Sequence, residues 1–428
     1  MLTTLSSLPI KPITHPLSAT VRVPGSKSLT NRALLIASLA KGTTRLTNAL
    51  FSDDSRYFAK ALQTLGFVVQ LYEANNEMTV TGLGGKIPAD NAKLFIGNAG
   101  TAARFLSAFL TLGNGEFVLD GDERMRERPI GDLVFALSQL GASIEIPPSN
   151  CPPVKIKASG LRGGKTSIAG NISSQFLSAL LMVAPYAKTP VEIEVFTELN
   201  SRPYIDMTLA IMRDFGIEVE RQGHECFTIH PASYLPITTY QIESDASAAS
   251  YFFAAPAICG GTVKVENISR KSVQGDIGFL DILAEMGCTL TETDNCLLVT
   301  SPSSLQGVDV NMRDIPDTAQ TLATIAPFAS SPTRIRGIAS ARVKETDRVH
   351  ATCTELARLG VRVEEYEDGM TIYQCEKFNP AVIQTYNDHR MAMSFALIGL
   401  RVPGITIENP SCVSKTFPNF FEVLNTLR

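Results

Sequence analysis

The chain has 428 residues, 38 Lys and Arg against 42 Asp and Glu, a net charge of −4, and 44% hydrophobic residues. That length predicts about two or three folded domains, and the charge balance excludes the basic face that nucleic acid or an anionic membrane would require. Eight cysteines without C-x-x-C or paired-ligand spacing exclude a disulfide framework and a zinc site. The stretch MLTTLSSLPIKPITHPL lacks the charged and apolar regions of a leader, and runs such as QFLSALLMVAPYA fall short of the roughly 20 residues that span a bilayer. The expectation is a soluble cytoplasmic protein.

Two kinds of segment alternate along the chain. The first is a helix almost wholly apolar or small, followed by a turn and an alternating strand. Its instances start near Asn31 (NRALLIASLAKGTTRLTN), Gly100 (GTAARFLSAFLTLGNGEFVLDG), Ser173, Ala246, Pro316 and Asp388. They recur roughly every 72 residues and make six units. The second is an amphipathic helix, a glycine and another alternating strand, as in IGDLVFALSQLGASIEI, YIDMTLAIMRDFGIEVE and VHATCTELARLGVRVEE. Gly66, Gly141, Gly216, Gly287 and Gly360 stand just past these helices, where a left-handed residue closes the last turn. Helices apolar all round are buried, and strands with one polar face lie outside them. This predicts sheets wrapped around buried helices in βαβαβ-type units, three to a domain.

Polar residues at the starts of the all-apolar helices break the pattern: Lys27, Ser28 and Arg32; Asn98, Gly100, Thr101 and Arg104; Ser173, Ser174 and Gln175; Asp245; Asp317; and Asp388, His389 and Arg390. Asp245 and Thr101 read first as N-caps. Arg32, Arg104 and Arg390 do not, since arginine one turn into a buried helix is seldom there for solvation. Helix N-termini already carry partial positive charge, so cations gathered there are built for an anion. The string VPGSKSLTNR is phosphate-site-like, but Lys27 follows Ser26 where a Walker loop needs glycine. Further cations lie in ERMRERPIG (Arg124, Arg126, Arg128), in RVKETDR (Lys344, Arg348, beside Glu345) and at Lys415.

The strings PGSKSLTNRALL, GNAGTAAR, RMRERPIG, SSQFLSALLM, SRPYIDMT, RVKETDR and TYNDHRMAM resemble, in order over nearly the whole chain, the 5-enolpyruvylshikimate-3-phosphate synthase family. The resemblance implies an α/β fold: a two-domain inside-out α/β barrel, each domain of three βαβαββ units with buried helices and outer sheets. Residues 21–242 would form the first domain, 1–20 plus 243–428 the second, with the active site in the cleft between them and crossovers near 20 and 243 as the hinge. The implied reaction moves the enolpyruvyl group of phosphoenolpyruvate to the 5-hydroxyl of shikimate 3-phosphate, without metal or cofactor, in a monomer that glyphosate inhibits. By similarity, Lys27, Ser28, Arg32, Ser173, Ser174, Gln175, Ser201, Tyr204, Asp317, Ser340 and Lys344 would contact shikimate 3-phosphate. Lys27, Asn98, Gly100, Thr101, Arg128, Gln175, Arg348, Arg390 and Lys415 would contact phosphoenolpyruvate. Among these and their neighbours, Lys27, Asp317, Glu345 and His389 would move protons or assist the leaving phosphate.

Two positions depart from the pattern. Phe105 follows Arg104 where proline is common, and Ser340-Ala341 stand before RVKETDR where Asn-Trp is common. Phe105 is expected to alter glyphosate sensitivity. The nearest rival, an enolpyruvyl transferase acting on UDP-N-acetylglucosamine, carries a cysteine in a first-domain loop, and residues 111–131 here have none. A non-catalytic protein binding phosphorylated metabolites is the other alternative, and Lys27, Asp317 and Glu345 together speak against it.

Overall fold

The computed structural model describes residues 5–428; the first four residues of the stretch read for a leader, and of the 1–20 segment, lie outside it. The chain divides into two compact units, Gly25–Ile242 in one and the chain up to Pro24 with Glu243–Arg428 in the other. The first crossing lies past residue 20 because the strand Leu17–Arg22 runs on to Arg22, paired in parallel with Gly261–Glu266.

Among the described residues, six buried helices alternate with six amphipathic ones. In the Gly25–Ile242 unit they are α1 (Lys27–Leu39), α2 (Asp53–Thr64), α3 (Gly100–Leu110), α4 (Gly131–Gln139), α5 (Ser174–Val183) and α6 (Arg202–Asp214). In the other they are α7 (Ala246–Cys259), α8 (Phe279–Glu285), α9 (Ala319–Ile325), α10 (Arg348–Arg358), α11 (His389–Arg401) and α12 (Phe420–Asn425). The odd-numbered helices have no wet face. All of α3 is buried, α7 buries every residue but Ala257, and α11 every residue but Arg401. The strands supply the polar side instead: in Val154–Ser159 the apolar Val154, Ile156 and Ala158 turn inward while Lys155, Lys157 and Ser159 face solvent.

The sheets follow one recipe. Asn91–Phe95 leads through α3 to its parallel neighbour Asn114–Asp120, then through α4 to the hairpin Ser143–Glu145 and Val154–Ser159, which adds antiparallel to the second strand. That is one βαβαββ unit. Two sheets complete themselves with a distant strand: Leu17–Arg22 precedes α1 yet pairs beside Gly261–Glu266, and Thr239–Gln241 precedes α7 yet pairs beside Lys41–Thr47. The sixth sheet has three strands, and Ser7–Pro9 takes its antiparallel place against Ile405–Glu408.

All five glycines expected past the amphipathic helices are left-handed, with φ from 84° to 102°. At each, the glycine N–H and the next residue's N–H return to carbonyls of the last turn, as Gly216 to Arg213 and Ile217 to Met212. These double closures turn the chain directly into the following strand.

Contacts between buried helices fix their directions. In the Gly25–Ile242 unit, Arg32 on α1 meets Ser178 on α5 and Phe105 on α3, and Arg104 on α3 faces Phe176 on α5. Each of these residues lies in the first two turns of its helix, so the three helices run parallel with their N-terminal ends together. In the other unit Arg390 on α11 meets Tyr251 on α7, and Ser250 on α7 meets Thr321 on α9. The same triangle recurs, and each unit therefore opens three helix mouths on one side.

Candidate active site

At the mouths of α1, α3 and α5, arginines are held by neutral groups. Arg32 is 2% exposed. Its Nε donates to Thr208 Oγ1 at 2.8 Å, Nη1 to the Ser28 carbonyl at 3.0 Å, and Nη2 to Ser178 Oγ at 3.1 Å and the Tyr204 carbonyl at 3.2 Å. Burial, only partly opposed by Tyr204, lowers its guanidinium to about 10. Arg104 donates to the carbonyls of Gly100 and Pro129. Arg128 donates to Asn98 through both its carbonyl (3.1 Å) and its Oδ1 (2.8 Å). A Cβ on Gly100 would come within 2.5 Å of Arg128 Nη2, so the absent side chain is what lets Arg128 lie across the start of α3. Lys27, at the first position of α1, stands 3.8 Å from the buried Asp54 carboxylate.

The remaining expected residues of this unit gather at the same end. Ser26 caps α1 and Ser173 caps α5, each by side-chain acceptance. Ser174 is the first residue of α5, followed by the half-buried Gln175. Ser201 holds a left-handed φ of 58° at the head of α6, strain of the kind that clusters at functional sites. Thr101 does not cap α3, because Ala99 occupies that position and Thr101 lies inside the helix. In the other unit Asp245 does cap α7, accepting from Ala248 N at 2.8 Å. Phe105, fully buried, presents its ring to Arg32 at 5.2 Å. Arg124 and Arg126 are surface residues paired with Glu127 and Asp120.

The other unit fills its mouths with paired charge. Arg348 donates from Nε to Asp388 Oδ2 (2.8 Å), from Nη1 to Asp317 Oδ1 (3.1 Å) and from Nη2 to Glu345 Oε2 (2.8 Å). Arg390 Nη2 reaches Asp317 Oδ2 at 2.7 Å, and Lys415 Nζ lies 3.8 Å from Glu345 Oε1. Burial disfavours the Arg348 cation, but Asp388, Glu345 and Asp317 outweigh it and hold the guanidinium above its ordinary value. His389 is buried with Nδ1 3.6 Å from Asp388 Oδ1. Lys344 and Arg348 do not share an exposed helix face, where two like charges would be mildly unfavourable. Asp347 caps α10 by accepting from His350 N at 3.0 Å, so Lys344 and Glu345 precede the helix and Arg348 turns inward. Ser340 is buried in a 3-10 turn, Ala339–Val343.

The sequence model for EPSP synthase (3-phosphoshikimate 1-carboxyvinyltransferase) matches residues 11–424. The chain belongs to the EPSP synthase family. Relatives named 3-phosphoshikimate 1-carboxyvinyltransferase include that of Shewanella denitrificans, 52% identical with 94% of each chain covered. That of Nostoc punctiforme is 50% identical over 97% of this chain and 98% of its own. The fold is similar to a solved EPSP synthase from Acinetobacter baumannii, with TM-score 0.83, 28% identity and 98% of both chains covered.

Several groups at the mouths escaped the sequence reading. Tyr251, whose hydroxyl receives Arg390 Nη1 at 3.3 Å, reads as core because it sits in an apolar helix. Burial, partly offset by Arg390, pushes its phenol up to about 12. Asp54 reads as an ordinary acidic first turn. Ser178 and Thr208 were findable, as hydroxyls inside otherwise apolar helical faces. Among the described residues no group of three His, Cys, Asp or Glu is placed to hold a metal ion, and no helix is long and apolar enough to cross a membrane.

Proposed function

We infer that this chain catalyses the 3-phosphoshikimate 1-carboxyvinyltransferase reaction, transferring the enolpyruvyl group of phosphoenolpyruvate to the 5-hydroxyl of shikimate 3-phosphate and releasing phosphate. The observation that carries this reading is the family match over residues 11–424, joined to a cluster of cations at helix mouths in each unit. Both substrates are polyanions, and buried arginines at positive helix ends suit them.

The residue roles are proposals from charge and geometry. Lys27, Asn98, Gly100, Thr101, Arg128, Gln175, Arg348, Arg390 and Lys415 would hold phosphoenolpyruvate. Lys27, Ser28, Arg32, Ser173, Ser174, Gln175, Ser201, Tyr204, Asp317, Ser340 and Lys344 would hold shikimate 3-phosphate. Arg32 spends four of its five N–H groups on the protein, leaving one on Nη1 for a substrate oxygen. The 5-hydroxyl oxygen bonds to C2 of phosphoenolpyruvate as a proton reaches its methylene carbon. The bond from C2 to the phosphate oxygen then breaks while a proton leaves the new methyl group. Asp317 would take the hydroxyl proton and Glu345 would serve the methylene carbon. Lys27 would assist the departing phosphate, and His389 would act through Asp388.

In this reading the unit Gly25–Ile242 and the unit of the chain up to Pro24 with Glu243–Arg428 are two domains that close on the substrates about the crossings near Pro24 and Ile242, in a cytoplasmic monomer. Glyphosate would compete with phosphoenolpyruvate, with sensitivity altered by Phe105. Phosphate release from phosphoenolpyruvate tests the activity, with shikimate 3-phosphate or UDP-N-acetylglucosamine as acceptor. Release only with shikimate 3-phosphate is expected; release only with the sugar nucleotide would overturn the acceptor.

A further inference from the structure

Behind the Asp317–Arg390 pair lies a carboxyl group that the reaction as described does not use. Asp276 sits in a 3-10 turn, Gly275–Gly278, packed against α7, and is 3% exposed. Its Oδ2 accepts a hydrogen bond from Ser247 Oγ in the first turn of α7. The same turn is tied down by Gln274, which is 4% exposed; its Oε1 accepts from Ala246 N at 3.1 Å and its Nε2 donates to the Ser244 carbonyl at 2.7 Å. The head of α7 is thus stitched to the Gln274–Asp276 turn. One turn further along α7, Tyr251 braces Arg390.

We propose that Asp276 is a positioning residue of the active site, anchoring the head of α7 through Ser247 and setting how much of the Arg390 charge is left for an incoming anion. The proposal rests on the functional reading above, since it takes Arg390 as a phosphoenolpyruvate contact. The groups that act on Asp276 are Asp317 and Asp245, which disfavour its ionisation, and Ser247 and Arg390, which favour it; burial outweighs them all. The titratable residues of the neighbouring α8, Asp281 and Glu285, are exposed on its outer face. Burial first, and the Asp317 charge second, raise the Asp276 carboxyl to about 7. Below neutrality Asp276 is therefore a neutral acid, and Arg390 keeps its pairing with Asp317. Above it a second negative charge appears close to Arg390 and competes with the substrate for it.

Two measurements on Asp276→Asn test this, because asparagine keeps the shape and removes the ionisation. The first is KM for phosphoenolpyruvate at pH 6 and pH 8 in both proteins, where the comparison cancels titration of the substrate itself. The rise in KM from pH 6 to pH 8 is expected to be at least threefold larger in the parent protein than in the variant. Equal pH dependence in the two would overturn the proposal, whatever the absolute rates. The second is urea unfolding between pH 4 and pH 7, which needs no activity. A carboxyl whose folded value lies above its unfolded value holds its proton longer in the folded state, so its contribution is full below the unfolded value and is lost as pH rises toward 7. The parent should therefore lose stability relative to Asp276→Asn across that window. Parallel curves would sink the assignment of Asp276 as a neutral acid even if the enzyme proved to use a different acceptor. Absence of any phosphate release from the parent, with the stability difference present, would fail the functional reading and overturn the Arg390 role while leaving the buried acid in place. Ser247→Ala is expected to shift the KM ratio in the same direction but by less.

Discussion

Arg32 and Arg348 occupy comparable places, each 2 to 3% exposed among the helix mouths of its own unit, and their surroundings are opposite. Arg32 is held by two hydroxyls and two carbonyls, Arg348 by three carboxylates. Burial lowers the first guanidinium, while anionic neighbours raise the second. The Gly25–Ile242 unit thus keeps an unneutralised cation in a dry setting, and the other unit balances its charges internally. The first is the one whose stability gains most from an arriving anion, and the second is the one with carboxylates at hand for moving protons.

Removing each arginine should expose that difference most sharply. Arg348→Met leaves the buried Glu345 and Asp388 and the half-buried Asp317 around an apolar chain, and breaking such a network by removing one partner costs about 3–5 kcal/mol. Arg32→Met leaves Ser178 and Thr208, which bond to each other at 2.9 Å, and Thr208 also donates to the Tyr204 carbonyl. Its cost should stay near 1–3 kcal/mol. Urea unfolding of both variants checks the order, and a larger loss from Arg32→Met would refute the contrast.

Ligand linkage comes next. Shikimate 3-phosphate at 100 times its Kd should add about 2.7 kcal/mol to the stability of the parent protein. That gain should shrink in Arg32→Met and persist in Arg124→Gln, since Arg124 is a surface residue paired with Glu127. Thermal unfolding with and without ligand measures it. Equal shrinkage in both variants would mean that general charge, and not the helix-mouth site, supplies the linkage.

Gly100→Ala probes the same unit from the backbone side. The added methyl meets Arg128 Nη2 at 2.5 Å and its Cζ at 2.9 Å, so the guanidinium must move off the start of α3. KM for phosphoenolpyruvate should rise about tenfold, the equivalent of ~1.4 kcal/mol, with kcat changed less. An unchanged KM would remove Arg128 from the donor-substrate contacts.

Much of this was legible in the chain because it rests on local pattern. A helix with no polar face, as in SAASYFFAAPAIC, has to be buried whatever surrounds it, and a glycine after an amphipathic helix marks the left-handed closure wherever the strand goes next. The exchange of Leu17–Arg22 and Thr239–Gln241 between sheets was not legible from the pattern: the partners lie 244 (Leu17 to Gly261) and 194 (Arg45 to Thr239) residues apart, and strand periodicity does not name a partner. The resemblance alone implied that the N-terminal strand joins the other domain. Spacing put Arg348 at the head of an amphipathic helix but could not tell that Asp347 caps that helix and that Arg348 turns inward onto three carboxylates. Asp276 reads as a turn residue after glycine, and only burial beside Ser247 distinguishes it.

The smallest test concerns the hydroxyl net around Arg32. Thr208→Val keeps volume and branching but takes the acceptor from Arg32 Nε and one partner from Ser178. Neutral partners each contribute modestly, so the loss should be about 1 kcal/mol, less than for any single carboxylate around Arg348. Because Arg32 then has one more N–H without a protein acceptor, shikimate 3-phosphate should recover more stability in the variant than in the parent. Denaturant midpoints with and without that ligand read the recovery. If Thr208→Val costs as much as losing a carboxylate, the neutral net is as strong as the charged one, and the asymmetry between the two arginines lies in burial alone.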